Sequence, residues 1–126
     1  MALVHHELCF GCGRTNLFGL LLEVDEAAPG AVVGRCFIKQ DHQGPDRGTA
    51  HPGVIASALV DAMALACGPA ARAEWFEVSV REPAPVGVFL EIEASVELRD
   101  GSIADATATA RVDQRMVVRA RGSFRT

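Results

Sequence analysis

Hydrophobic and polar residues alternate most regularly from Val88 to Asp100. Phe89, Glu91, Glu93, Ser95 and Glu97 fall on one side, and Val88, Leu90, Ile92, Ala94, Val96 and Leu98 on the other. A period of two over that length predicts a half-buried antiparallel strand. "GLLLEVDEA" (Gly19 to Ala27) and "AVVGRCFIK" (Ala31 to Lys39) read as two earlier strands, hairpinned at Ala28 to Gly30. "WFEVSVRE" (Trp75 to Glu82) alternates too, ahead of a bend at Pro83 to Gly87. "IADATATARVD" and "RMVVRARGSFR" complete a meander, with Asp100-Gly101 as the hairpin signal and a second turn near Asp113-Gln114.

One segment breaks the period. From Val54 to Cys67 only Ser57 and Asp61 are polar, which predicts a buried helix. Pro52 suits its first turn, because the missing N–H costs nothing there. Gly68-Pro69 stops it, although "AARAE" could add another turn. "QDHQGPDRGTAHPG", Gln40 to Gly53, has no periodicity and reads as a loop. The order is β-β-α-β-β-β-β, one domain over residues 1–126. A helix apolar nearly all round needs wrapping, so the expected fold is α+β, a curved antiparallel sheet around one central helix. Its open sheet edge and incompletely covered helix face favour a homodimer.

Composition narrows the function. The 126 residues are 49% hydrophobic and 22% charged, with a net charge of −4. An acidic chain lacks the basic footprint that nucleic-acid binding needs. The one local exception, Arg111, Arg115, Arg119, Arg121 and Arg125, reads as solvated strand positions or a small anion site. No apolar run is long enough to cross a bilayer. "MALVHHELCFGCG" lacks the pattern of a secretion signal, and four cysteines then read as reduced thiols, so the expected location is the cytoplasm.

Five segments carry a resemblance to a known family. "CFGCGRTNLFGLLLE" (Cys9 to Glu23), "HQGPDRGTAHPGV" (His42 to Val54), "ALVDAM" (Ala58 to Met63), "REPAPVG" (Arg81 to Gly87) and "ARGSF" (Ala120 to Phe124) occur in the order found in hotdog-fold acyl-CoA thioesterases of the PaaI-like type. The resemblance implies hydrolysis of an acyl-CoA or acyl-carrier thioester at a dimer interface, in a homodimer or a dimer of dimers, and with no metal or organic cofactor. It implies that Asp61 serves as general base or nucleophile. It also implies that His51 shapes the turn and that the Gly53 and Val54 N–H groups hold the carbonyl as it gains charge. His42, Ser57 and Arg81 are the further substrate-side candidates, Arg81 for the diphosphate of coenzyme A.

The chain departs from the family pattern at three places. Pro52 stands where a glycine usually donates its N–H. Val60 stands where the acid usually lies, with Asp61 one residue later. The "GPDRG" loop is one residue longer. Each candidate also has a structural alternative. Asp61 could be a buried acid bonded to a loop, Ser57 a helix serine bonded to the carbonyl four residues back, and His51 a turn-fixing residue. His42 could lie on the loop surface or at the pocket mouth, and Arg81 could form a surface ion pair. Asn16 is expected to fix a turn. The departures motivate a second function, an acyl-ligand binder that does not cleave. A third, hydration or dehydration through His42 and Asp61, fits the spacing less well.

"HHELCFGC" supports a separate expectation. His5, His6, Cys9 and Cys12 have spacing that could begin a zinc site, with Cys36 as a distant fourth ligand. Plain reduced cysteines and a redox pair are the alternatives. Cys67 reads as core packing.

Overall fold

The computed structural model describes residues 2–126. Six strands and one long helix follow the expected order: β1 (Glu23–Ala28), β2 (Ala31–Phe37), α1 (Pro52–Cys67), β3 (Arg72–Val80), β4 (Phe89–Asp100), β5 (Ile103–Val112) and β6 (Arg115–Arg125). All pairings are antiparallel, and the sheet order is β1-β2-β4-β5-β6-β3. The helix packs chiefly on β4, β5 and β6, the middle of the sheet. There β5 turns Ala104, Ala106, Ala108 and Ala110 inward, all buried. Four small side chains in a row let α1 lie close to the central strand. Leu90 and Ile92 from β4 and Val118 and Phe124 from β6 fill the space on either side.

Backbone chemistry sets the differences from the sequence expectation. The first strand begins at Glu23 rather than Gly19, because Leu21 adopts a left-handed φ of 51°. Leu20 and Leu22 instead donate their N–H groups to the carbonyls of Phe10 and Gly11, tying the N-terminal loop to the core. The extra helical turn does not form. Gly68 ends α1 with its N–H on the Ala64 carbonyl, and β3 starts at Arg72. A bulge between Val96 and Leu98 slips the alternation of β4, which leaves Leu98 exposed although the period had placed it inward. The β5–β6 turn is Asp113-Gln114, both with positive φ, as a two-residue hairpin requires.

The two sheet edges differ. On β1, the Leu3 N–H bonds the Val24 carbonyl, so the N-terminal segment covers part of that edge. β3 pairs only with β6 and exposes Trp75, Phe76 and Val80. Arg121 and Arg125 of β6 pair across to Glu77 and Glu74 on β3, and Arg115 to Glu82 beyond it. Most of the C-terminal arginine cluster is thus engaged in surface ion pairs.

Candidate functional site

The helix start is built by the loop before it. Gln43 pairs with Ala50 and Thr49 with Pro85, so the loop folds back on itself and docks on the Pro83 to Gly87 bend. The His51 N–H bonds the His42 carbonyl at 2.8 Å, and the Ala50 N–H bonds the Ala84 carbonyl at 2.8 Å. These bonds present His51 as the N-cap of α1.

The cap uses the amides that the sequence had offered to a substrate. The Gly53 N–H donates to His51 Nδ1 at 2.9 Å, and the Val54 N–H donates to the His51 carbonyl at 2.9 Å. Pro52 has no N–H. An Nδ1 that accepts a hydrogen bond fixes the neutral ring's proton on Nε2. His51 therefore turns an Nε2–H donor outward from the helix start. Ser57 takes its structural alternative, its hydroxyl donating to the Gly53 carbonyl at 2.9 Å. Next to the cap lies a cavity of about 340 Å³ lined by Pro45, Pro52, Ile55, Ala84, Val118 and Arg81. Asp46, Thr49 and Glu82 also line it, so Arg81 is its one cation beside two acidic residues. His42 lies under the loop with 7% exposure, so it is not a loop-surface histidine, and its Nδ1 is buried without a partner. Burial pushes the His42 pKa down, and the Lys39 charge adds to that.

Asp61 belongs to a different cluster. Its Oδ1 lies 3.1 Å from His5 Nδ1 and accepts from Cys9 Sγ at 3.5 Å. Its Oδ2 is buried without a partner. His5 Nδ1 is also 3.7 Å from Cys9 Sγ and 3.4 Å from Cys12 Sγ. The hydrogen bond to Asp61 raises the His5 pKa, burial opposing it. Burial pushes the Cys12 thiol up to about 12. Gly11 makes this packing possible: a Cβ there would stand 2.5 Å from Asp61 Cγ. The cluster borders a shallow cleft of about 260 Å³ that also touches Val60, Ala64 and Phe124.

Two sequence expectations near this cluster change. His6 is outside it, its Nδ1 accepting from the Leu8 N–H at 3.2 Å. Cys36 is no fourth partner, since it is buried and donates to the Leu20 carbonyl at 3.4 Å. Asn16 fixes a turn as expected, its Oδ1 accepting from the Phe18 N–H at 3.1 Å. Nothing in the sequence signals that Asp61 joins His5 and the two cysteines, because 52 residues separate it from Cys9. The one available cue was its polarity on an otherwise apolar helix.

No protein-family model and no curated protein matches the sequence. Solved structures do. A protein described as a thioesterase superfamily protein superposes with a TM-score of 0.83 at 22% identity, over 95% of this chain and 61% of that longer one. The Escherichia coli PaaI protein, from the phenylacetic acid degradation operon, gives 0.78 at 20% identity over 84% of this chain and 79% of its own. Zebra fish thioesterase superfamily member 2 gives 0.73 at 23% identity over 82% and 80%. One antiparallel sheet around one helix, shared with these proteins over most of the chain, is the hotdog fold.

Proposed function

We propose that this chain is a thioesterase-like protein that binds an acyl thioester at the start of α1 and cleaves it with water. The observation that carries the proposal is the bond from the Gly53 N–H to His51 Nδ1, which leaves Nε2–H as an outward donor. His51 lies between Ala50 and Pro52, both of which line the cavity. A thioester carbonyl placed there receives a hydrogen bond as its oxygen gains charge, which replaces the donor that Pro52 lacks. The acyl group occupies the apolar cavity, and Arg81 faces the anionic carrier, coenzyme A or a phosphopantetheine-bearing protein.

The base role of Asp61 then requires two chains. Gly53 and Asp61 are eight residues apart on one helix, about 12 Å along its axis, whereas attack needs about 3–3.5 Å. Antiparallel packing of two copies of α1 would set one helix start against Asp61 of the partner subunit. The exposed Trp75, Phe76 and Val80 on the open β3 edge favour such a homodimer. In the step itself, water adds to the carbonyl as the carboxylate takes its proton, the C–S bond breaks, and that proton passes to the leaving thiolate, giving a carboxylic acid and a free thiol. The four cysteines are unpaired, as a reducing compartment such as the cytoplasm would leave them.

Free thiol released from a panel of short, medium and aromatic acyl-CoA substrates tests the proposal. Turnover should fall about 100- to 1,000-fold in His51→Ala, the usual cost of one lost oxyanion donor. Unchanged release in that variant, or no release from wild type, counts against it. One observation favours a second reading, binding without cleavage. Asp61 Oδ1 is already held by His5 and Cys9, and the Gly53 and Val54 amides are used in the cap. Thermal stabilisation by an acyl-CoA that is recovered intact would select it.

A further inference from the structure

We propose that His5, Cys9, Cys12 and Asp61 form a closed four-ligand site for a zinc ion. His5 Nδ1, Cys9 Sγ, Cys12 Sγ and one Asp61 carboxylate oxygen all lie within 4.8 Å of one another. A tetrahedral zinc with its ordinary bond lengths sets its ligand atoms about 3.3–3.8 Å apart. Four of the six separations here are 3.1, 3.4, 3.5 and 3.7 Å, before any ion has drawn the atoms in. The donor set is the one zinc prefers, soft thiolates with an imidazole and a carboxylate.

The surrounding backbone is shaped for the same purpose. The Cys9-Phe10-Gly11-Cys12-Gly13 turn closes with the Gly13 N–H on the Cys9 carbonyl at 2.9 Å. A Cβ on Gly13 would stand 2.4 Å from the Glu7 carbonyl oxygen, and one on Gly11 would enter Asp61. Gly13 is therefore fixed by the turn's own closure, and Gly11 by its fit to the helix. The His5 N–H points at Cys12 Sγ, 3.2 Å away, a bond that stabilises a thiolate. The Asp61 Oδ2 has no partner in spite of its burial, a cost that a cation beside the carboxylate offsets. The ion would staple the N-terminal segment to α1, tying two parts of the chain that share no strand pairing.

The inference does not rest on the thioester proposal, since the ion is counted without turnover, and it competes with the base role given there to Asp61. A loaded ion takes Asp61 as a ligand, so the loaded protein follows the binding-only reading of function. The test is titration of the chelator-treated full-length protein with cobalt(II), followed by absorption, and with zinc(II), followed by elemental analysis after dialysis. One ion per chain is expected, with intense thiolate-to-cobalt charge-transfer bands and the visible bands of a tetrahedral centre. Cys9→Ser, Cys12→Ser and Asp61→Asn should each weaken zinc binding by more than the about 10- to 100-fold that even supporting residues cost. Cys36→Ser and Cys67→Ser should leave the spectrum intact. Wild-type protein that gives no charge-transfer band at one equivalent of cobalt overturns the proposal without any variant having to fold. So does a spectrum unchanged in Cys9→Ser.

Discussion

Gly11 shows how closely single atoms are specified here. Its missing side chain is filled by Asp61, so Gly11→Ala should cost about 1–3 kcal/mol by overpacking and lower the thermal midpoint. A midpoint equal to wild type would show that the N-terminal loop is not seated on the helix. His42 makes a second residue-scale prediction through its depressed pKa. Its contribution to stability is complete above about pH 6.5 and is lost as pH falls through the lower folded value. Lys39 lowers that value further and Asp41 opposes it. Urea unfolding of wild type should therefore lose stability from pH 7 toward pH 5 more steeply than His42→Gln, by no more than about 1.4 kcal/mol per pH unit. Equal slopes would contradict a buried, neutral His42. His5 works in the opposite sense, since its raised pKa favours the folded state at low pH, but it is common to both proteins. Among the four thiols, Cys9 is the one that is not fully buried, and burial pushes Cys36 up to about 12. Iodoacetamide at pH 8 should label Cys9 of the metal-free protein first and leave Cys36 unmodified until the chain unfolds, as peptide mass spectrometry would show.

At the scale of elements, α1 is held at both ends by groups outside it. His51 caps its start, and Arg99 of β4 donates to the Cys67 carbonyl at 3.0 Å at its end. A cation on the last carbonyls stabilises a helix, so Arg99→Ala should cost about 1 kcal/mol in chemical denaturation. An unchanged midpoint would make that contact incidental. The elements themselves were legible in the sequence because each has a clean period or a strong terminator. Pro52 and Gly68 bracket the helix, and Asp113-Gln114 marks a turn. The exceptions are places where one residue changes the backbone's course. Leu21 looks like strand interior but takes a left-handed φ, and the bulge after Val96 re-aims Leu98. Local pattern carries no trace of either, since both follow from contacts with distant segments.

At the scale of the whole molecule, the candidate chemistry separates into two places on one helix. His51 caps its start, and Pro52 and Arg81 line the cavity beside that cap. Asp61 instead meets His5, Cys9 and Cys12, a meeting that only the folded chain creates. The three N-terminal members of that cluster were visible as a spacing of metal-ligating residues. Its fourth member was not, because a tertiary contact 52 residues apart leaves no local mark. The open β3 edge predicts assembly: wild type should sediment as a dimer or larger, and Val80→Lys should shift it toward monomer. A monomeric wild type would remove the two-chain arrangement that the cleavage step needs. The central claim is that an acyl thioester is received at the start of α1, and calorimetric titration with a non-hydrolysable acyl-CoA thioether tests it most directly. The account predicts one site per chain, with affinity lowered at least about tenfold in both His51→Ala and Arg81→Ala, where about 1.4 kcal/mol corresponds to tenfold. No heat of binding to wild type, or equal affinity in all three proteins, would contradict it.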